Sequence, residues 1–103
     1  MSDRELLELA AKAAGVRKDK NGSFYDDARF GKQWLPFDDD ADALRLAVKL
    51  NMHIQCDFDF LECPCVIVYG GCTSQTEKGN DPYAATRRAI VKAAAEIGKA
   101  KEE

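Results

Sequence analysis

The chain has no long hydrophobic run. Its longest stretch of aliphatic residues and cysteine, Cys65 to Val68, is four residues, where a membrane-spanning helix takes about 20, so no membrane partner is expected. The opening Ser2-Asp3-Arg4-Glu5 is polar and charged, unlike a secretory leader. These two shortages predict a cytoplasmic protein. Histidine is nearly missing. His53 is the only one, so any chemistry built on an imidazole base must use it, and its place beside Asp57 and Asp59 on the polar side of a strand is explained by surface position alone. Basic charge is not in excess either: 15 Lys and Arg face 18 Asp and Glu, for a net charge of −3. Bulk electrostatics therefore does not predict a nucleic-acid partner, although a local patch remains open.

Motifs for catalysis are scarce in the same way. Gly70-Gly71 is too short for a phosphate-cradling loop, and the next helix signal comes ten residues later. Ser23, Thr73 and Ser74 lack the strand–turn–helix context of an activated nucleophile. The four cysteines, Cys56, Cys63, Cys65 and Cys72, are separated by six, one and six residues, which is not the paired-knuckle spacing of a structural zinc site. Asp57 and Asp59 share a strand face but find no further ligands in the sequence. We expect no metal, no cofactor and no enzymatic activity. The thiols are expected to be reduced, with Cys56 acting as a small hydrophobe.

The chain does carry clear structural signals. At 103 residues it fits one domain spanning 1–103. Ser2 followed by Glu5 forms a capping box, Leu6, Leu9, Ala10 and Ala13 repeat at helical spacing, and Gly15 stops the helix, which predicts a helix over 3–14. Residues 16–33 are polar, with an Asn21-Gly22 turn signal and the apolar islands Phe24, Tyr25 and Phe30. A short irregular hairpin or mobile loop is expected there, its aromatics either folded back on the core or offered to a partner. In Trp34-Leu35-Pro36-Phe37, Pro36 holds Leu35 out of the helical region. Asp38 or Asp39 can then cap a second helix, with apolar residues at 43, 46, 47 and 50 and with Leu44 and Val48 widening the buried stripe. Asn51 can end it.

Strict alternation from His53 to Phe60 predicts a half-buried strand whose apolar side is Ile54, Cys56, Phe58 and Phe60. Cys65 to Tyr69 is rich in β-branched residues and closes an antiparallel hairpin. Residues 72–80 read as a polar loop. Asp81-Pro82 starts a third helix, with Tyr83, Thr86, Ile90, Ala93, Ala94 and Ile97 on its apolar side and a tail over 101–103 that frays. Arg88, Lys92 and Lys99 lie on the opposite side, with Arg87 adjacent, either as a solvated face or as a phosphate-binding stripe. The fold class is α+β: a hairpin or small antiparallel sheet packed with three helices in the order α-(β)-α-β-β-α. The expected core includes Trp34, Pro36, Phe37, Leu46, Leu50, Ile90 and Ile97.

The block Trp34 to Leu50, the closing run Ala84 to Ala94 and the opening Asp3 to Gly15 together resemble small bacteriophage and prophage proteins of the phage α-β-α sandwich domain group. The resemblance implies a phage-derived accessory protein with a layered α+β fold, and it carries over no catalytic residues. Binding rather than catalysis is the function expected. The partner is a host or phage protein, with Phe24, Tyr25 and Phe30 as candidate contacts. The alternative is a nucleotide or nucleic acid held by Arg87, Arg88, Lys92 and Lys99.

Overall fold

A computed structural model describes residues 2–26, 32–57, 65–70, 73–78 and 81–102. Nine elements follow in order among them: α1 (Asp3–Ala14), β1 (Arg17–Lys18), β2 (Phe24–Asp26), β3 (Lys32–Gln33), α2 (Asp40–Lys49), β4 (His53–Asp57), β5 (Cys65–Gly70), β6 (Thr73–Lys78) and α3 (Pro82–Glu102). Two antiparallel sheets form, β1-β2-β3 and β4-β5-β6. The small α+β class expected from the sequence is the class observed.

The helix ends obey local chemistry. Ser2 accepts the Glu5 amide at 3.2 Å, and Gly15 ends α1 at φ 72°, a left-handed turn that glycine adopts without Cβ strain. Asp39, not Asp38, caps α2, accepting from the Ala41 amide at 2.8 Å. Asn51 ends α2 at φ 55°, and the Met52 amide closes back onto the Ala47 carbonyl at 2.9 Å. Asp81 caps α3 through the Tyr83 and Ala84 amides. The sequence predicts a frayed tail over 101–103. Helix α3 continues to Glu102, and Lys101 donates to the Ala13 carbonyl at 3.2 Å, satisfying an open carbonyl at the end of α1.

Helix α3 organises the packing. It runs against α1, α2, β5 and β6, and Ala85, Ala89, Ile90, Val91, Ala93, Ala94 and Ala95 are all buried. Burial therefore extends round most of its circumference rather than along one stripe. Alanines 10, 11, 13 and 14 of α1 are buried too. These small side chains let the two helices approach until no atom fits between them at one point: a Cβ on Gly98 would lie 1.9 Å from the Leu9 carbonyl oxygen.

Trp34 is 4% exposed. It meets Phe24 edge to face with centroids 6.0 Å apart, and its amide donates to the Phe24 carbonyl at 2.8 Å. Pro36, Leu46 and Ile90 are buried as expected, and Phe37, Leu50 and Ile97 are half-buried.

Several expectations are corrected. Where an irregular hairpin or mobile loop is expected over 16–33, Arg17–Lys18, Phe24–Asp26 and Lys32–Gln33 pair as a three-stranded sheet, with Arg17 opposite Tyr25 and Tyr25 opposite Gln33. Lys18 ties this sheet to α1 through Glu8 at 2.9 Å. That hydrogen bond, with the charge of Lys18, lowers the Glu8 pKa. The expected polar loop 72–80 contains β6, paired along β5 from Gly70↔Thr73 to Cys65↔Lys78. It has no apolar alternation to betray it, because its order comes from backbone pairing with a strand already present. The predicted continuation of β4 through 58–60 and the positions Phe30, Cys63 and Cys72 lie outside the described residues. Cys56, expected among the buried hydrophobes, is exposed.

Two substitutions test this packing. Gly98→Ala gains about 1 kcal/mol of helix propensity, but the clash with Leu9 is against backbone, which cannot rotate away. We expect a net loss of about 1–3 kcal/mol in urea unfolding, and a neutral or stabilised variant would mean that the helices are further apart. Trp34→Ala should lose about 3–5 kcal/mol, read as a lowered melting temperature.

Candidate functional site

Helix α2 is fixed at its start by five hydrogen bonds. Asp42, 1% exposed, accepts the Leu35 amide at 2.9 Å through Oδ2. The Leu35 carbonyl takes the amides of Asp38 and Asp39 at 3.0 and 2.8 Å. From α3, Arg87 donates through Nε to the Phe37 carbonyl at 2.6 Å and through a terminal nitrogen to Asp40 at 2.6 Å. This holds the rotation of α2 about its own axis. Ala43, Leu46 and Ala47 turn inward and are buried.

The same rotation turns Leu44 and Val48 outward. They are 59% and 68% exposed, where the sequence reads them as part of the buried stripe. Helix α2 has apolar residues around more of its circumference than its neighbours cover. Leu44 and Val48 are one turn apart on one side of the helix, and together they make an apolar ridge. A cleft of about 400 Å³ runs beside it, lined by Ala14, Val16, Trp34 and Leu46 with Arg45 and Lys49. A second, of about 430 Å³, opens on the other flank of Leu44, among Ala43, Ile54, Cys56, Pro82, Tyr83 and Ile90. Tyr83, expected on the buried side of α3, is 69% exposed and stands at this second cleft. Three large exposed apolar side chains and two clefts thus meet around α2.

The residues singled out from the sequence are distributed differently. Phe24 is core, so it is not a surface contact. Tyr25 is half-buried beneath the Arg17 guanidinium, 5.8 Å from its ring centroid. Of the basic residues on α3, Arg87 is only 18% exposed and holds the α2 start. Arg88 pairs with Asp3 at 3.1 Å, lies 4.0 Å from Glu77 and sits over the Phe37 ring. Lys92 pairs with Glu77, whose side chain is 15% exposed. Lys99 is exposed. These side chains do not form one stripe on a solvated face. Strand β6 brings Glu77 to Arg88 and Lys92, and a strand read as a loop could not have announced that neighbour. His53 lies on the exposed side of β4, its ring 5.8 Å from that of Tyr69.

The site generates a contrast between two arginine-to-alanine variants. Arg87→Ala removes a charge-assisted bond to a backbone carbonyl in a half-buried setting, and should cost about 1.5–3 kcal/mol. Arg88→Ala removes a partly exposed pair with Asp3 and a long one, at 4.0 Å, with Glu77, and should cost no more than about 1 kcal/mol. Equal losses in chemical denaturation would mean that Arg87 does not hold α2.

Compared with protein-family models, with curated proteins and with solved structures, the chain matches none, so the reading of this surface rests on its own geometry.

Proposed function

We propose that this chain is a non-enzymatic protein-binding module whose contact surface is the Leu44–Val48 ridge of α2 with its two flanking clefts. The observation that carries the reading is the exposure of Leu44 and Val48 next to clefts with apolar walls. Adjacent apolar side chains left in water beside a depression mark a place where another surface packs. A partner covering them would bury hydrocarbon at roughly 25 cal/mol per Å². We propose further that the protein is a phage- or prophage-encoded accessory factor acting in a bacterial cytoplasm on a host or phage protein. The likeness of the Trp34–Leu50 block to such proteins supports this, and no described helix is long and apolar enough to cross a membrane. The nucleotide-binding alternative loses its motivation at Arg87, Arg88 and Lys92, whose charges are already met by Asp40, Asp3 and Glu77.

The test is a paired capture. The chain and its Leu44→Gln/Val48→Gln variant are immobilised, exposed to bacterial lysate, and the bound proteins are identified by mass spectrometry. Both changes are at exposed helix positions and put in a good helix former, so stability should move by less than about 0.5 kcal/mol. A protein held by the parent and lost by the variant supports the reading. Equal capture by both, or none by either, overturns it.

A further inference from the structure

We infer that the α2 ridge docks an acidic amphipathic helix, an assignment of partner chemistry that rests on the protein-binding reading above. Helix α2 carries two bases, Arg45 and Lys49. Those two bases are one turn apart on α2, each directly following Leu44 or Val48 in sequence. One residue is 100° of helix rotation, so the surface carries two parallel rows, apolar Leu44/Val48 and basic Arg45/Lys49. Both rows line the same cleft. Arg45 and Lys49 are exposed, and the Lys49 ammonium lies close to Gly15 at the end of α1. A partner helix with leucine-like residues at i and i+4 can set them between the ridge and the cleft. Glutamates one position over then face the two cations. Charge complementarity of this kind selects the partner and speeds its encounter.

A second copy of the chain fits less well. A two-fold interface apposes a patch to itself. In an antiparallel pairing with the axis midway between Leu44 and Val48, Arg45 would stand beside its own counterpart, and like charges repel.

The experiment uses the full chain and a labelled peptide of about 16 residues, long enough for marginal helix formation, with leucines at helical spacing and glutamate elsewhere. Controls are its lysine-for-glutamate counterpart and a scrambled sequence. Binding is followed by fluorescence anisotropy and by emission of Trp34, the only tryptophan and part of the cleft wall. The expected result is saturable binding of the acidic peptide alone, with a change in Trp34 emission. Arg45→Glu/Lys49→Glu should weaken it by about tenfold or more, equivalent to about 1.4 kcal/mol, and added salt should weaken it too. Leu44→Gln/Val48→Gln should abolish it while leaving the circular dichroism unchanged. Equal binding of acidic and basic peptides overturns the inference, as does binding indifferent to Arg45 and Lys49. If no peptide binds while the ridge variant still loses its captured protein, the partner chemistry is wrong and the binding module stands. If sedimentation finds a dimer that Leu44→Gln/Val48→Gln dissociates, the ridge is a self-interface and the acidic-helix assignment fails.

Discussion

The close approach of α1 and α3 is the constraint from which the rest of the arrangement follows. At Gly98 the backbone of α1 takes the space a side chain would need, and the alanines on both helices keep the crossing tight along its length. Interiors are packed to crystal-like density, and two helices can reach it with small side chains only by moving their backbones together. Once α1 occupies one side of α3, the sheet β4-β5-β6 and α2 occupy others. Few positions of α3 are left for water. This explains why Ala85, Ala89, Val91 and Ala95 are buried beside the expected Ile90, Ala93 and Ala94. It also explains why Arg88 and Lys92 emerge at a seam with acidic neighbours rather than on an open face.

A second layer of control acts on α2. The Trp34-Leu35-Pro36-Phe37 segment is held from within by Asp42, from β2 by the Phe24 carbonyl and from α3 by Arg87. The bond to Asp42 joins a buried carboxylate to a backbone amide, and a buried charge left without such partners is costly. These contacts leave α2 little rotational freedom. Its apolar residues outnumber the neighbours available to cover them, so some must face water. Which ones do so is set at the clamp: Leu44 and Val48 point out because Ala43, Leu46 and Ala47 point in. The proposed binding surface is in this sense a by-product of how the helix start is secured.

The charges follow the same economy. Arg87, Arg88, Lys18 and Lys92 each meet an acid from a distant part of the chain. The more exposed of these pairs, such as Lys18 with Glu8 and Arg88 with Asp3, contribute little to stability one by one, but all four define which cations are spoken for. Arg45 and Lys49 stand along the ridge instead, beside hydrocarbon that water covers poorly.

The sequence by itself determined the local grammar of the protein. Ser2, Gly15, the Asp38-Asp39 pair, Asn51 and Asp81-Pro82 mark helix ends through bonds to nearby backbone or through tolerated left-handed turns, so three helices and the β4–β5 pair were legible without any knowledge of the neighbours. Trp34 and Leu46 could be assigned to the core from size and periodicity. The exposed positions could not. Leu44, Val48, Tyr83 and Cys56 carry the same apolar signature as buried residues, and only the number and placement of packing partners decides which of them are covered. Strand β6 was invisible because Thr73 to Lys78 is polar throughout and is ordered by hydrogen bonds to β5. With it went the link from Glu77 to Arg88 and Lys92. Short-range chemistry is written in adjacent residues, whereas the identity of a surface is a difference between what a helix offers and what its neighbours can bury, and that difference exists only in the folded chain.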